Sequence, residues 1–165
     1  GIEPDDPKLA EKCLKLIDRL PQTCHLIHGD FHTSNVFLQK SEAVLIDMDR
    51  ISIGNPIIEL GDVYLYYEAL SDTDPEATDP YLKIPIRLCR RFFSAFLRHY
   101  LQTDDDRIIT EVSEKAKLLC NIRLANRLRK QGTLSSEAGK KMQGILLETA
   151  ELAARIKDLS TGHSR

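Results

Sequence analysis

The chain has 165 residues, of which 42% are hydrophobic and 29% charged, and its 23 basic and 25 acidic side chains give a formal net charge of −2. This length is typical of one domain with one core, and the balanced charge excludes a global attraction to nucleic acid or to an anionic membrane. No apolar run approaches the roughly 18 residues of a membrane helix, the N-terminus lacks a signal-peptide pattern, and the four widely spaced cysteines are typical of reduced thiols. We therefore expect a single cytoplasmic domain over residues 1–165.

The first predicted element is an amphipathic helix. Asp6 followed by Pro7 is a typical N-cap with proline at the first helical position, and apolar residues recur at helical spacing until Pro21. From Cys24 to Asp49 the sequence changes to short runs of Val, Ile, Leu and Phe, broken by the polar turn at residues 40–42. This region is predicted to hold the strands and a β-hairpin.

The rest of the chain is predicted to be helical. A helical pattern resumes after Pro56 and breaks in an acidic loop from Ser71 to Pro80. Three more helices are predicted at about Pro85 to Leu101, Asp104 to Gln131 and Ser135 to Leu159. The expected fold is mainly α, of the α+β class, with a small hairpin early in a helical body.

The predicted hairpin brings an amide and a carboxylate together. If its turn centres on Ser41, Val36 pairs with Ile46 and Asn35 pairs with Asp47, about 5 Å apart at Cα. Their oxygens are hard ligands that suit Mg²⁺, which takes one or two protein oxygens and completes its shell with phosphates and water. The sequence therefore predicts a magnesium-phosphate site at the mouth of the hairpin.

Asp30 has a different predicted role. It lies in the loop before Asn35, next to Gly29, which permits an unusual backbone turn because it has no Cβ. An aspartate there can accept or orient the proton of an attacking hydroxyl, which completes a phosphoryl-transfer site. Asp49 shares a strand face with Asp47 by the period of two, so it is either a second metal contact or a solvated or backbone-bracing carboxylate.

Three motifs in this order resemble those of the aminoglycoside phosphotransferase and choline kinase-like family. They are H-G-D-x-x-x-x-N at residues 28–35, I-D-x-[DE] at 46–49 and G-x-P at 54–56. The resemblance implies a protein-kinase-like fold, in which this chain is the C-terminal helical lobe and the hairpin carries the catalytic and metal loops.

The same resemblance implies roles for individual residues. Asp30 would be the catalytic base, and Asn35 and Asp47 would be magnesium ligands. His28 and the neighbouring Gly29 would be scaffold residues of the catalytic loop. Glu59 stands where the family more often has an aspartate, and its implied role is to brace that loop.

The implied activity is transfer of the γ-phosphoryl group of ATP, with Mg²⁺, to a hydroxyl of a small molecule. Only 27 residues precede His28, too few for the glycine-rich loop and strand lysine of an ATP-binding lobe. We therefore expect that lobe upstream in the full-length protein, as the partner of this chain, and expect the isolated chain to be inactive. The acceptor cannot be read from the sequence.

Two alternatives remain open. The chain could be a non-catalytic binding or regulatory module that keeps a kinase-like lobe without a functional ATP lobe. Alternatively, His25, His28 and His32 could hold the zinc or iron of a hydrolase, although that hypothesis leaves Asn35 and the hairpin pairing unexplained.

Charged and aromatic residues outside the motifs have weaker interpretations. The acidic loop at residues 71–80 could attract a cationic substrate, and the basic cluster at residues 123–130 an anionic one, but solvated surface is favoured for both. Tyr64, Tyr66 and Tyr67 are predicted to divide between the core and a cleft wall.

Overall fold

The structure, a computed structural model, describes residues 6–69, 76–131 and 136–162. Helices make up most of these residues, and their bounds follow. They are α1 Pro7–Asp18, α2 Pro56–Tyr64, α3 Ile86–Leu101, α4 Asp106–Gln131 and α5 Ser136–Arg155. A π-helical turn, Leu65–Ala69, continues α2. No helix in these three ranges is long and apolar enough to cross a membrane.

Four short strands form two separate antiparallel sheets. Strand β1 (His25–Ile27) pairs with β4 (Ser52–Gly54), and β2 (Val36–Gln39) pairs with β3 (Glu42–Leu45). Together with the helices they confirm the predicted α+β class. Strand β4 lies beyond the predicted β region. Its pairing with β1 places the loop that follows β1 beside the loop that precedes β4, and these two loops carry the motifs.

The hairpin register differs by one residue from the prediction. Val36 faces Leu45, and the Ile46 N–H donates to the Asn35 carbonyl at 3.0 Å. Asn35 therefore stands opposite Ile46, and the predicted pairing with Asp47 is wrong.

The connection between β2 and β3 explains the difference. It has two residues, Lys40 and Ser41, both with positive φ (49° and 72°), as tight two-residue hairpin turns require. The predicted turn, centred on Ser41, would need a connection of three residues. Beyond β3, Asp47 has a φ of 60° and precedes a 3₁₀ turn at Met48–Arg50. The prediction that Asp47 and Asp49 share a strand face is therefore also wrong.

The predicted helices are present with shifted ends. Asp6 caps α1, since its Oδ1 accepts from the N–H groups of Lys8 and Leu9. Helices α3 and α4 begin within two residues of their predicted starts. Residues 71–75 of the predicted acidic loop, and the predicted start of the last helix at Ser135, lie outside the described residues.

Helix α5 ends at Arg155 and not at the predicted Leu159. Just beyond it, Asp158 accepts from the N–H and the hydroxyl of Ser160. A side chain that bonds its own following backbone favours a turn over a further helical turn.

The core lies between the helices, with α2 packed against α4. Ile57, Leu60 and Val63 of α2 are fully buried. A Cβ on Gly61 would lie 3.1 Å from Leu119 Cβ, so the glycine permits this close approach. Helix α2 is therefore held firmly by the core. Both its N-terminal part and the π-helical turn contact the motif loops.

Candidate active site

The loop after β1 is held by one side chain of α2. Glu59 accepts from the His28 N–H at 2.9 Å through Oε2 and from the Gly29 N–H at 2.8 Å through Oε1. A carboxylate satisfies both backbone donors with charge-assisted hydrogen bonds. Gly29 has a φ of 78°, and a Cβ there would lie 2.7 Å from the Arg50 carbonyl oxygen. Glycine is therefore required where the two motif loops touch.

His28 ties the same loop to the end of the hairpin. Its Nε2 lies 2.9 Å from the Ile46 carbonyl oxygen, and the side chain is buried. Because a carbonyl only accepts, Nε2 carries the proton and donates. This contact is the one that a scaffold residue would make.

Asp30 presents its carboxylate between a tyrosine and an arginine. Its Oδ1 accepts from the Tyr66 hydroxyl at 2.6 Å and lies 4.0 Å from Nη1 of Arg50. The Asp30 side chain is 19% exposed, so solvent or a substrate can reach it. The Asn35 Nδ2 donates to the Asp30 carbonyl at 3.0 Å, which fixes the loop across five residues.

The predicted metal ligands lie at the same end of the sheets. Asn35 is buried, and because its nitrogen is used on Asp30, its Oδ1 remains as an acceptor. Burial lowers the pKa of His32, and the carboxylates of Asp30 and Asp47 both oppose that shift. The Asn35 carbonyl accepts from the N–H of Ile46, which directly precedes Asp47, so the two predicted ligands lie together at the mouth of the hairpin. Asp49 is exposed on the 3₁₀ turn.

The oxygen atoms of Asn35 and Asp47 are the candidate metal ligands of the site. Residues 6–69, 76–131 and 136–162 contain no group of three or more His, Cys, Asp or Glu side chains that could hold a metal ion. One amide oxygen and one carboxylate suit Mg²⁺, which keeps waters and substrate phosphates in its shell. Of the three histidines considered for a hydrolase, two use Nε2 on protein groups: His28 Nε2 bonds the Ile46 carbonyl, and His32 Nε2 lies 3.2 Å from the Tyr81 hydroxyl.

Sequence reasoning did not assign the tyrosines that contact the motif loop. Tyr66 reaches Asp30, Tyr67 accepts from the Thr33 N–H at 2.8 Å, and Tyr81 reaches His32. Tyr67 is fully buried and Tyr66 is half-buried, in agreement with the predicted division between core and cleft wall. No sequence pattern indicated Tyr81.

Two charged residues that were interpreted as solvated surface have structural contacts. Asp79 is buried, and its Oδ1 accepts from the N–H groups of Tyr81 and Leu82. Arg123 forms an ion pair with Asp62, which lies on the buried side of α2. Asp79 therefore orders the turn that carries Tyr81, and Arg123 joins α4 to α2.

The family comparison agrees with this arrangement. The chain matches the phosphotransferase enzyme family over residues 2–108, which is more than half of its length. This range contains both motif loops, the hairpin between them, Glu59 and the three tyrosines. No curated protein and no solved structure matches the chain. From the matched range, the chain belongs to the phosphotransferase enzyme family.

Proposed function

We propose that the protein is a kinase for a small-molecule alcohol, which transfers the γ-phosphoryl group of ATP to a hydroxyl in a Mg²⁺-dependent reaction. The observation that carries this proposal is the joining of the two motif loops: Asn35 Nδ2 donates to the Asp30 carbonyl, and His28 Nε2 donates to the carbonyl of Ile46, the residue before Asp47. Phosphoryl transfer depends mainly on positioning and on stabilisation of charge. The two motif loops together supply a base and two oxygen ligands for the metal, which is what this reaction requires.

Asp30 acts as the base in this proposal. The acceptor oxygen attacks the γ-phosphorus, the bond from that phosphorus to the bridging oxygen breaks, and ADP leaves. The acceptor's proton passes to the Asp30 carboxylate. The hydrogen bonds of Glu59 to the loop and of Tyr66 to Oδ1 hold that carboxylate in place, which supports this role.

Asn35 and Asp47 would hold the magnesium ion. When bound, Mg²⁺ supplies positive charge that offsets the negative charge of the phosphates. The Asn35 amide is oriented for this role by its own bond to the Asp30 carbonyl.

The proposal includes an N-terminal lobe that completes the ATP site, with this chain as the C-terminal, catalytic-loop lobe. The sheets carry exposed apolar side chains on both hairpin strands and on β1 and β4, among them Leu26, Leu38 and Ile53. A patch of exposed apolar side chains is typical of a surface that another protein segment covers. This surface lies on the strands that flank the motif loops.

The test begins with the acceptor. Full-length protein with MgATP is screened by thermal shift against a panel of amino alcohols, sugars and aminoglycosides, because a ligand that binds the native state raises its apparent stability. Phosphoryl transfer to the alcohols that shift the transition is then measured.

Asp30→Asn is the decisive variant. We expect the transfer rate to fall by about 10²–10⁴-fold, the usual contribution of a general base, with little change in thermal stability. The matched control is Asp18→Asn, an exposed aspartate at the end of α1, which should keep the activity. Near-normal turnover by Asp30→Asn would mean that the assignment of the base, and with it the proposed reaction, is wrong.

A further inference from the structure

Two consecutive tyrosines of the π-helical turn Leu65–Ala69 reach the same loop. The Tyr66 hydroxyl donates to Asp30 and the Tyr67 hydroxyl accepts from Thr33. A π-helical turn is closed by hydrogen bonds from i to i+5, so successive side chains diverge by less than the roughly 100° of an α-helix. Such turns are rare and occur often at functional sites. Here the turn aims two neighbouring hydroxyls at one loop.

The Tyr66 ring is locked in place by two other rings. It stacks on Tyr81 with a centroid distance of 5.3 Å and an interplanar angle of 12°, and it meets the buried His32 ring edge-on at 5.0 Å. Stacked and edge-on pairs at these distances are favourable. The ring therefore has few ways to move, and the direction of its hydroxyl is set.

The Tyr66 hydroxyl stays a proton donor. Burial raises the pKa of Tyr66 above its ordinary value, and the hydrogen bond to Asp30 and the charge of that carboxylate raise it further. The hydroxyl therefore keeps its proton at neutral pH and donates a hydrogen bond to Oδ1. The other contact of Oδ1, with Arg50, is long, and the arginine side chain is 69% exposed, so it is a weak restraint.

The two Asp30 oxygens therefore differ. Both described side-chain contacts of the carboxylate are made by Oδ1. Among the described residues, Oδ2 has no hydrogen-bond partner, which leaves it for an acceptor hydroxyl.

We propose that Tyr66 is a positioning residue for the phosphoryl acceptor: its hydroxyl fixes the rotation of the Asp30 carboxylate so that Oδ2 faces the attacking oxygen. This inference rests on the proposed function, because it assigns Tyr66 a role only through Asp30 as base. The ring contacts with His32 and Tyr81 hold Tyr66 in the orientation that this requires.

The test is Tyr66→Phe in full-length protein, which removes one hydroxyl and keeps the stacked ring. With the acceptor found in the thermal-shift screen, we expect kcat to fall about tenfold, the effect of one lost hydrogen bond to a charged group, with KM for the acceptor little changed. The ratio of ATP hydrolysed to acceptor phosphorylated should rise, because a carboxylate that is free to rotate no longer favours the bound hydroxyl over water. A purely structural role would not move that ratio.

Tyr64→Phe is the matched control. Tyr64 precedes the same π-helical turn, but its ring packs edge-on against Phe93 at 5.3 Å in the core. The loss of its hydroxyl should leave kcat and the hydrolysis ratio unchanged.

A double-mutant cycle tests whether Tyr66 acts through Asp30. In single-turnover assays, Tyr66→Phe should have no further effect on the rate in an Asp30→Asn background. Full additivity would overturn the inference, as would an unchanged kcat and hydrolysis ratio in Tyr66→Phe while Asp30→Asn loses activity. In both cases the proposed function stands. Near-normal activity of Asp30→Asn overturns the proposed function and this inference together.

Discussion

The helical body buries its apolar side chains, whereas the two small sheets expose most of theirs. Leu60 and Leu118, on α2 and α4, are 1% and 0% exposed, whereas Leu38 and Ile53, on β2 and β4, are 81% and 71% exposed. The helices are therefore stabilised by a shared core, and the sheets mainly by backbone pairing, with Ile27 of β1 as the buried exception among the strands. The motif loops lie at the boundary, so their geometry depends on the helical body more than on the strands from which they emerge.

The largest effect should come from a matched pair of leucine truncations. Leu60→Ala removes a buried side chain and should lower the free energy of unfolding by about 2–5 kcal/mol. Leu38→Ala, on the exposed hairpin, should change it by less than about 0.5 kcal/mol. Urea denaturation of both variants measures the difference. Equal losses would contradict the division between a packed body and unpacked sheets.

A smaller effect is expected where the two regions meet. Glu59→Ala leaves the His28 and Gly29 N–H groups without their acceptor, and hydrogen bonds to a charged group contribute about 1.5–3 kcal/mol. We expect a loss of about that size in the free energy of unfolding and faster amide hydrogen exchange at both residues. Denaturation and exchange measured by NMR check these two results.

The control for this variant is Glu151→Ala, which removes an exposed glutamate of α5. It should change neither quantity. If Glu59→Ala kept slow exchange at both amides, the loop would be held by the strands and not by α2.

The parts of the fold that the sequence predicted well are those set by local pattern. Helix α1 follows from its Asp6 cap and apolar spacing, and α3 follows from apolar spacing after Pro85. The aspartates of the site follow from motifs in which every spacing is short. The prediction of the hairpin register was wrong because Lys40 and Ser41 have positive φ, although neither is the glycine or asparagine that usually indicates a two-residue turn. Because the connection is one residue shorter than predicted, Asn35 faces Ile46 and not Asp47.

The parts that escaped prediction are contacts between distant segments. Tyr66 meets Asp30 across 36 residues, and Tyr81 meets His32 across 49. The pairing of β1 with β4 joins residues that are 25 to 29 positions apart in the sequence, from Ile27 with Ser52 to His25 with Gly54. No periodicity encodes such a meeting, because it depends on the packing of α2 and on a π-helical turn.

The smallest effect in this comparison is a pH dependence at His32. Burial and the neighbouring His28 lower the pKa of His32 below the ordinary 6.5, while Asp30 and Asp47 partly offset the shift. The rings of the half-buried Tyr66 and the exposed Tyr81 also face the imidazole. The folded protein therefore keeps the imidazole neutral where the unfolded chain has begun to bind a proton.

The sign of the effect follows from proton binding. Because the unfolded chain binds more protons between the folded pKa and 6.5, the free energy of unfolding is greatest above pH 6.5 and falls as the pH drops below it. Urea denaturation from pH 5 to 7.5 in metal-free buffer should show this slope, and His32→Gln should reduce it. His99→Gln, at an exposed position on α3, should leave it unchanged. An equal slope in His32→Gln and the unsubstituted protein would show that the imidazole is as free to take a proton in the folded loop as in the unfolded chain, and that the body does not bury this side of the site.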